Sequence, residues 1–319
     1  MVNAVLQASL AVLLMVAIGA LLRKVGWLTK EADRPLTDVT MNVLYPAATF
    51  FSIRGNEHLL NVGYVFRVVL IGYLTIFLGM VVARLFVKAF GKWSGLQTDV
   101  QKRTFILCNC LYNYGYLPIP LCTLLFGVKT LGVLFVFNVG VAMGMWTIAV
   151  AALDKNALRQ SWKQLFSAPM VGTYLAIALN YLPMTDQLPL CIESALKWLN
   201  DCMNPLSLLI VGAIMADEFC RKSEGASLSQ SFRVVSASLL LRMLVIPALF
   251  ILCAHAFVLD PDLQKVIIIQ SAMPTAIMSV VWARMFAGDA GIALRIVLVT
   301  NLLSIVTVLI WIPIGLKLV

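Results

Sequence analysis

Residues 112–121 read YNYGYLPIPL and residues 270–279 read QSAMPTAIMS, two proline-bearing interruptions of apolar sequence about half a chain apart. Within them, Leu117-Pro118-Ile119-Pro120 and Met273-Pro274-Thr275 are the expected points of discontinuity. A proline inside a helix removes a backbone hydrogen bond and frees a carbonyl one turn earlier, and lipid offers such a group nothing. Broken backbone at membrane depth therefore implies a cavity lined by protein or water. Paired breaks in corresponding halves of a chain point to the binding site of a transporter.

The rest of the chain supplies the membrane context. Of 319 residues, 61% are hydrophobic and 12% charged, with mean hydropathy +0.94, which excludes an ordinary soluble domain. The pattern predicts an all-α polytopic membrane protein of ten spans, roughly 5–24, 36–53, 63–88, 104–126, 130–153, 167–183, 190–216, 231–257, 264–286 and 291–317, each near the length a bilayer demands. The first apolar run has no basic residue ahead of it and reads as a span rather than a cleavable signal peptide.

Charge placement orients these spans. Seventeen lysines and arginines lie at or near the odd loops, among them Arg23, Lys24, Arg84, Lys102, Lys155, Arg159, Lys163 and Arg221. Six lie on the other side: Arg54, Arg67, Lys129, Lys197, Lys265 and Lys317. The positive-inside rule makes the odd loops cytoplasmic and puts the N- and C-termini outside a cell (inner or plasma) membrane. The net charge of +9 expresses this asymmetry, and no nucleic-acid partner is expected. The seven cysteines show no CxxC spacing and read as packing residues. His58 and His255 stand alone near outer span ends, so neither a metal site nor a cofactor is expected.

The two interruptions belong to a wider repeat. Pro118 and Pro274 are 156 residues apart, Pro46 and Pro205 are 159 apart, and Asn138 and Asn301 are 163 apart. Segments TDVTMNVLYPAATFFSI and LNDCMNPLSLLIVGAIM share a polar start, an asparagine (Asn42, Asn204) and a proline. Because five spans is an odd number, a second copy enters the membrane from the opposite side. The expected organisation is a first five-helix repeat over 1–153, a cytoplasmic junction over 154–166 and a second, inverted repeat over 167–319. In the junction Lys155, Arg159 and Lys163 recur at fourfold spacing and read as a solvated basic face.

Each broken helix exposes an N-terminal end carrying about half a positive charge and a C-terminal end carrying about half a negative one. The N-terminal ends expected at Pro120–Leu121 and Thr275–Ala276 suit a carboxylate, with the Thr275 hydroxyl able to cap or donate. Freed carbonyls around Tyr114 and Gln270 suit a cation, a hydroxyl or water. The candidate substrate site is therefore Asn109, Asn113, Tyr114, Pro118, Ile119, Pro120, Asn138, Gln270, Met273, Pro274, Thr275 and Asn301. Asn109 and Asn113 are expected on one helical face. Tyr112, Tyr114 and Tyr116 spread over different faces, with one lining the cavity. Gly140 and Gly144 read as a close helix contact, and Asn42 and Asn204 as packing or site residues. Asp38 and Asp201 read as helix N-caps. Arg242 is the deepest charge in its span; it either pairs with a substrate anion or snorkels to the inner face. If helix ends and amides rather than an arginine clamp hold the anion, Arg242→Gln is expected to keep substrate affinity while Asn113→Ala and Thr275→Val weaken it. No central acid marks a proton or sodium relay.

The span count, the outside termini, the run of Asn113, Gly115 and Pro120, the Asn204-Pro205 pair and the SAMPTA motif resemble the auxin efflux carrier family. That resemblance implies a fold shared with bile-acid/sodium symporters, in which spans four and nine cross at their breaks. It further implies a scaffold of spans 1, 2, 6 and 7, a transport core of spans 3–5 and 8–10, and a homodimer through spans 2 and 7. The implied substrates are small organic anions, mono- or dicarboxylates, moved by a secondary carrier through alternating access. The short junction, in place of a long hydrophilic central loop, fits a bacterial-type member. A membrane receptor or sensor, or a channel with a carrier-like fold, is the alternative. An enzyme is not expected, because HExxH and GxSxG are missing, and the lack of a Walker motif excludes a self-contained ATP-driven pump.

Overall fold

Helix starts in this chain follow from local chemistry. The computed structural model describes residues 2–153, 162–182, 188–220 and 228–318. Helix α1 is Val2–Val25. Helix α2 covers 30–53 as Lys30–Val39, a π-helical stretch Thr40–Leu44, and Tyr45–Ile53. Pro46 can neither donate to the ladder nor avoid the carbonyl one turn back, and the widened π turn just before it absorbs the conflict. Helix α3, Val62–Phe90, starts where the Asn61 side chain accepts the Tyr64 N–H. Helix α4, Asp99–Cys110, starts with a full capping box between Thr98 and Gln101, which satisfies two otherwise orphaned donors.

Helix α5, Pro118–Gly144, turns at Gly127, whose φ of 76° is left-handed backbone, and so forms two legs. Only a residue without a Cβ adopts that conformation freely. The helix then runs through π-helical Met145–Ala149 into Val150–Leu153. In the second half, α6 is Ala168–Asn180 and α7 is Leu190–Cys220. Helix α8 covers 228–257, with a π stretch Leu240–Val245 just ahead of Pro247. Helix α9, Pro261–Ser271, is capped by Asp260, which accepts the Leu263 N–H at 2.8 Å. Helices α10, Met278–Met285, and α11, Ala290–Leu318, complete the order.

Among the described residues, six helical stretches are long and apolar enough to cross a membrane: Asn3–Val25, Val62–Phe90, Pro118–Ala149, Leu190–Asp217, Phe232–Phe257 and Ala290–Leu318. Their outward faces carry Leu14, Phe66, Phe77, Leu85, Leu252 and Val306, each at least half exposed. A belt of that kind is a liability in water and the ordinary surface of a chain solvated by lipid. The protein is a multi-pass, all-helical membrane protein.

Helix α1 packs along α7, and α2 packs on α6 and α7, while α3 packs on α4 and α5. A Cβ on Gly140 would collide with the Val69 carbonyl of α3, and one on Gly144 would lie 2.9 Å from Ile76. Both glycines therefore let two helices approach closely, as the spacing suggested. On α1, Arg23 is nearly buried and ties three helices together. It pairs with Asp33 of α2 and with Asp217 of α7 at 3.3 Å, and donates to the Leu28 carbonyl at 2.6 Å.

Three expectations are corrected. The first interruption lies upstream of its prolines: α4 ends at Cys110, and Pro118 is the first residue of α5, where a missing N–H costs nothing. Asp38 is not an N-cap, because α2 begins at Lys30 and Asp38 pairs within the helix with Arg34 at 3.9 Å. Asp201 lies inside α7 rather than at its start. Of the junction, Lys155 and Arg159 lie outside the described residues, and Lys163 is in a short 3-10 helix, Trp162–Phe166.

Candidate functional site

The two interruptions meet. Residues 111–117, between α4 and α5, run antiparallel to residues 272–277, between α9 and α10, with Tyr112 facing Thr275. The Asn113 N–H donates to the Pro274 carbonyl at 2.8 Å, and the Ala276 N–H donates to the Leu111 carbonyl at 3.2 Å. Two unwound segments thus satisfy part of each other's backbone, a solution open to broken helices only where they cross.

The remaining freed carbonyls are held by side chains in a matched pattern. Asn138 on α5 donates to the Tyr114 carbonyl at 2.9 Å, and Asn301 on α11 donates to the Thr275 carbonyl at 3.0 Å. Gln270, at the end of α9, reaches the same Tyr114 carbonyl at 3.2 Å and the Asn138 amide oxygen at 2.9 Å. All three amides are buried. Asn138, Gln270 and Asn301 hold the crossing, each with a carbonyl of an unwound segment as partner.

Arg242 joins them, and of the two roles expected for it, snorkelling is the one the structure overturns. Its side chain is fully buried, and its Nε and Nη2 donate to the Met273 carbonyl at 3.0 and 2.8 Å. The guanidinium carbon lies 4.9 Å above the centre of the Tyr112 ring, close enough for cation–π attraction. The Tyr112 hydroxyl is in turn fixed by Thr75 of α3 at 2.7 Å. Among the described residues Arg242 has no carboxylate in ion-pair range, and its Nη1 has no hydrogen-bond partner.

Other polar atoms are left open nearby. Gln270 Oε1, Thr275 Oγ1, Ser279 Oγ, Asn301 Oδ1 and Ser9 Oγ are buried without a partner among the described residues. Native interiors leave few such atoms, and a cluster of them marks a place where a ligand or water completes the bonding. A cavity of about 90 Å³ opens beside the crossing, lined by Ser9, Val12 and Val16 of α1, Leu117, Leu121, Met215, Met273, Asn301 and Ser304. That is well above the ~10–15 Å³ a single water requires.

Not every candidate reaches this centre. Asn109 is a packing residue: it bonds the Phe105 carbonyl at 2.8 Å and accepts from Ser238 of α8 at 3.0 Å. Asn109 and Asn113 do not share a helical face, because α4 ends between them. Asn113 enters through its backbone N–H, and among the described residues no bond is made by its amide side chain. Tyr114 offers a carbonyl that is already satisfied twice. Pro118, Ile119 and Pro120 form the buried first turn of α5, and Thr275 does not cap α10, whose start at Met278 has no side-chain cap. Pro274 contributes its carbonyl. Asn204 lies 3.5 Å from Thr123 with its oxygen unpartnered, whereas Asn42 is exposed.

Sequence reasoning missed Ser9, Ser304 and Thr75, and it named Tyr112 without singling it out from Tyr114 and Tyr116. Ser304 stands three residues after Asn301 and bonds its carbonyl at 2.7 Å, so helical spacing was an available signal. Thr75 and Tyr112 lie 37 residues apart on different helices, and no local pattern links them.

Residues 155–312, about half of the chain, match the family model described as Membrane transport protein and take in all of the second half but the last seven residues. No curated protein matches the chain. That family is one of transporters rather than enzymes, and the match includes α8 with Arg242, the second interruption and Asn301. The chain belongs to the auxin efflux carrier family and is a membrane transporter.

Proposed function

We propose that the protein is a secondary carrier for small organic anions, mono- or dicarboxylates, that works by alternating access around the crossing of two broken spans. The observation that carries this reading is the crossing itself: a buried guanidinium with no acid in ion-pair range among the described residues, bonded to the carbonyl of Met273, which lines a cavity together with Ser9 and Asn301, two residues that carry unpartnered polar atoms. An uncompensated charge at membrane depth is costly and calls for a partner of opposite sign. A carboxylate supplies the charge and the acceptors.

Ten spans arranged as two inverted five-helix repeats fit the same picture. Asn138 and Asn301, 163 residues apart, do the same work on the two interruptions, which is what a pseudo-two-fold axis in the membrane plane requires. The short helices α4, α9 and α10 are then halves of spans four and nine. Spans 1, 2, 6 and 7 (α1, α2, α6, α7) are the scaffold, and the other spans move past it, with the cavity on the seam between α1, α7 and the crossing. An exposed asparagine, Asn42, in the middle of α2 suits contact with a second copy, in keeping with a homodimer through spans 2 and 7. The charge bias places both termini outside the cell membrane.

Counterflow tests the reading. In proteoliposomes preloaded with unlabelled malonate, malate or another small carboxylate, external labelled carboxylate should enter saturably and overshoot. Binding without counterflow would favour a receptor, and flux that never saturates would favour a channel.

A further inference from the structure

We infer that Arg242 occupies the place a coupling cation would take, so that the crossing is charged by the protein itself and anion binding requires no sodium or other metal cation. The inference goes beyond the carrier reading and rests on it only for the substrate-binding arm of its test. Where a membrane helix is broken, the C-terminal end of the first half carries partial negative charge, and freed carbonyls there commonly coordinate an ion. In this chain the carbonyl in question is that of Met273, two residues past the end of α9. It already receives two N–H groups from one guanidinium, at 3.0 and 2.8 Å.

The arginine is built into that position. It is fully buried, stacks over Tyr112 at 4.9 Å, and comes from a π-helical turn of α8, Leu240–Val245, that re-aims side chains relative to an ordinary helix. Tyr112 is locked by Thr75. The buried Nη1, unpartnered among the described residues, leaves one donor edge available while the other edge serves the carbonyl. A bound metal ion would have to displace the guanidinium or sit beside a full positive charge, which repels it more strongly where water is excluded. A permanent charge also leaves the site net positive until a carboxylate arrives, which favours anions without a co-transported cation.

The test uses the purified full chain in detergent. In calorimetric titration with malonate, exchange of sodium chloride for choline chloride at equal ionic strength should change the native Kd by less than threefold; a larger weakening in choline overturns the inference. Substrate-free melting gives an arm independent of any carboxylate. The native midpoint should be the same in the two salts. Arg242→Ala should melt lower and be raised by 10 mM methylguanidinium chloride over the same concentration of choline chloride, with no such response in the native protein. Specific stabilisation of the native protein by sodium, or a folded Arg242→Ala that ignores methylguanidinium, overturns it. If malonate and its homologues bind in no salt, the carboxylate reading fails, while the melting arm still decides the role of Arg242. If Arg242→Ala yields no folded protein, the native melting comparison decides it.

Discussion

Replacing Asn301 by alanine should destabilise the protein more than the equivalent change at Asn138, although the two residues hold equivalent places in the repeat. Asn301 is the side chain that donates to the Thr275 carbonyl, at 3.0 Å. Its second bond goes to the Val297 carbonyl of its own helix at 2.8 Å, a group the helix ladder already serves. Asn301→Ala therefore leaves one buried carbonyl with its side-chain donor gone, and an orphaned buried acceptor costs about 1–3 kcal/mol. Asn138→Ala removes a bond to the Tyr114 carbonyl at 2.9 Å and the amide oxygen that accepts from Gln270 at 2.9 Å, but Gln270 still donates to the Tyr114 carbonyl at 3.2 Å, so both of those groups keep a partner. The loss there is that of ordinary hydrogen bonds between groups that stay otherwise satisfied, about 0.5–1.5 kcal/mol. Reversible unfolding of purified variants in mixed micelles, followed by tryptophan fluorescence, measures both. Asn138→Ala proving the more damaging, or Asn301→Ala lying within ~0.3 kcal/mol of native, would refute the account of how the second interruption is held.

Thr75→Val should leave the buried Tyr112 hydroxyl without a partner and cost about 1–3 kcal/mol, whereas Tyr112→Phe in the Thr75→Val background should recover part of it; the same unfolding assay reads the cycle. Gly140→Ala should sharply reduce the yield of folded protein, because the added methyl meets the Val69 backbone, while Gly144→Ala meets only the Ile76 side chain and should be milder; size-exclusion yield and melting midpoint distinguish them. Thr275→Val, which keeps shape and removes a hydroxyl without a partner among the described residues, should leave stability within ~1 kcal/mol of native and weaken carboxylate binding about two- to tenfold in titration. If the proposed homodimer forms through spans 2 and 7, Asn42→Leu should shift the detergent-solubilised protein from dimer toward monomer in mass measurements, since it removes a polar group from an exposed face of α2 without touching the crossing.

Much of the helical layout is legible in the sequence, because a lipid solvent enforces long apolar runs and places charge at their ends. Among the described residues six helical stretches are long and apolar enough to cross a membrane, each overlapping expected spans, and the two interruptions were marked by their prolines. The offset between Asn138 and Asn301 reported a shared role before either partner was known. The place of the first break was harder to read. A proline can end one helix or begin the next, and at Pro118 it begins one, so the unwound residues lie upstream in a tyrosine-rich stretch that looks helical by composition. The same ambiguity misplaced Asn109 and Asn113 on a common face. Arg242 was the greater loss: its partner Met273 is 31 residues away in the second unwound segment, and only the crossing brings them together. A mid-span arginine is recognisable as functional from sequence, but whether it faces lipid, a carbonyl or a ligand depends on tertiary geometry.

Thiol accessibility at the crossing measures the central claim most directly. In a variant with the seven native cysteines replaced, Thr275→Cys reconstituted in either orientation can be probed with a membrane-impermeant maleimide from one side at a time. The account predicts slow labelling from both sides, with malonate or another transported carboxylate slowing it from each. Labelling from one side only, or labelling from both sides that no carboxylate alters, would contradict a carrier that alternates around this site.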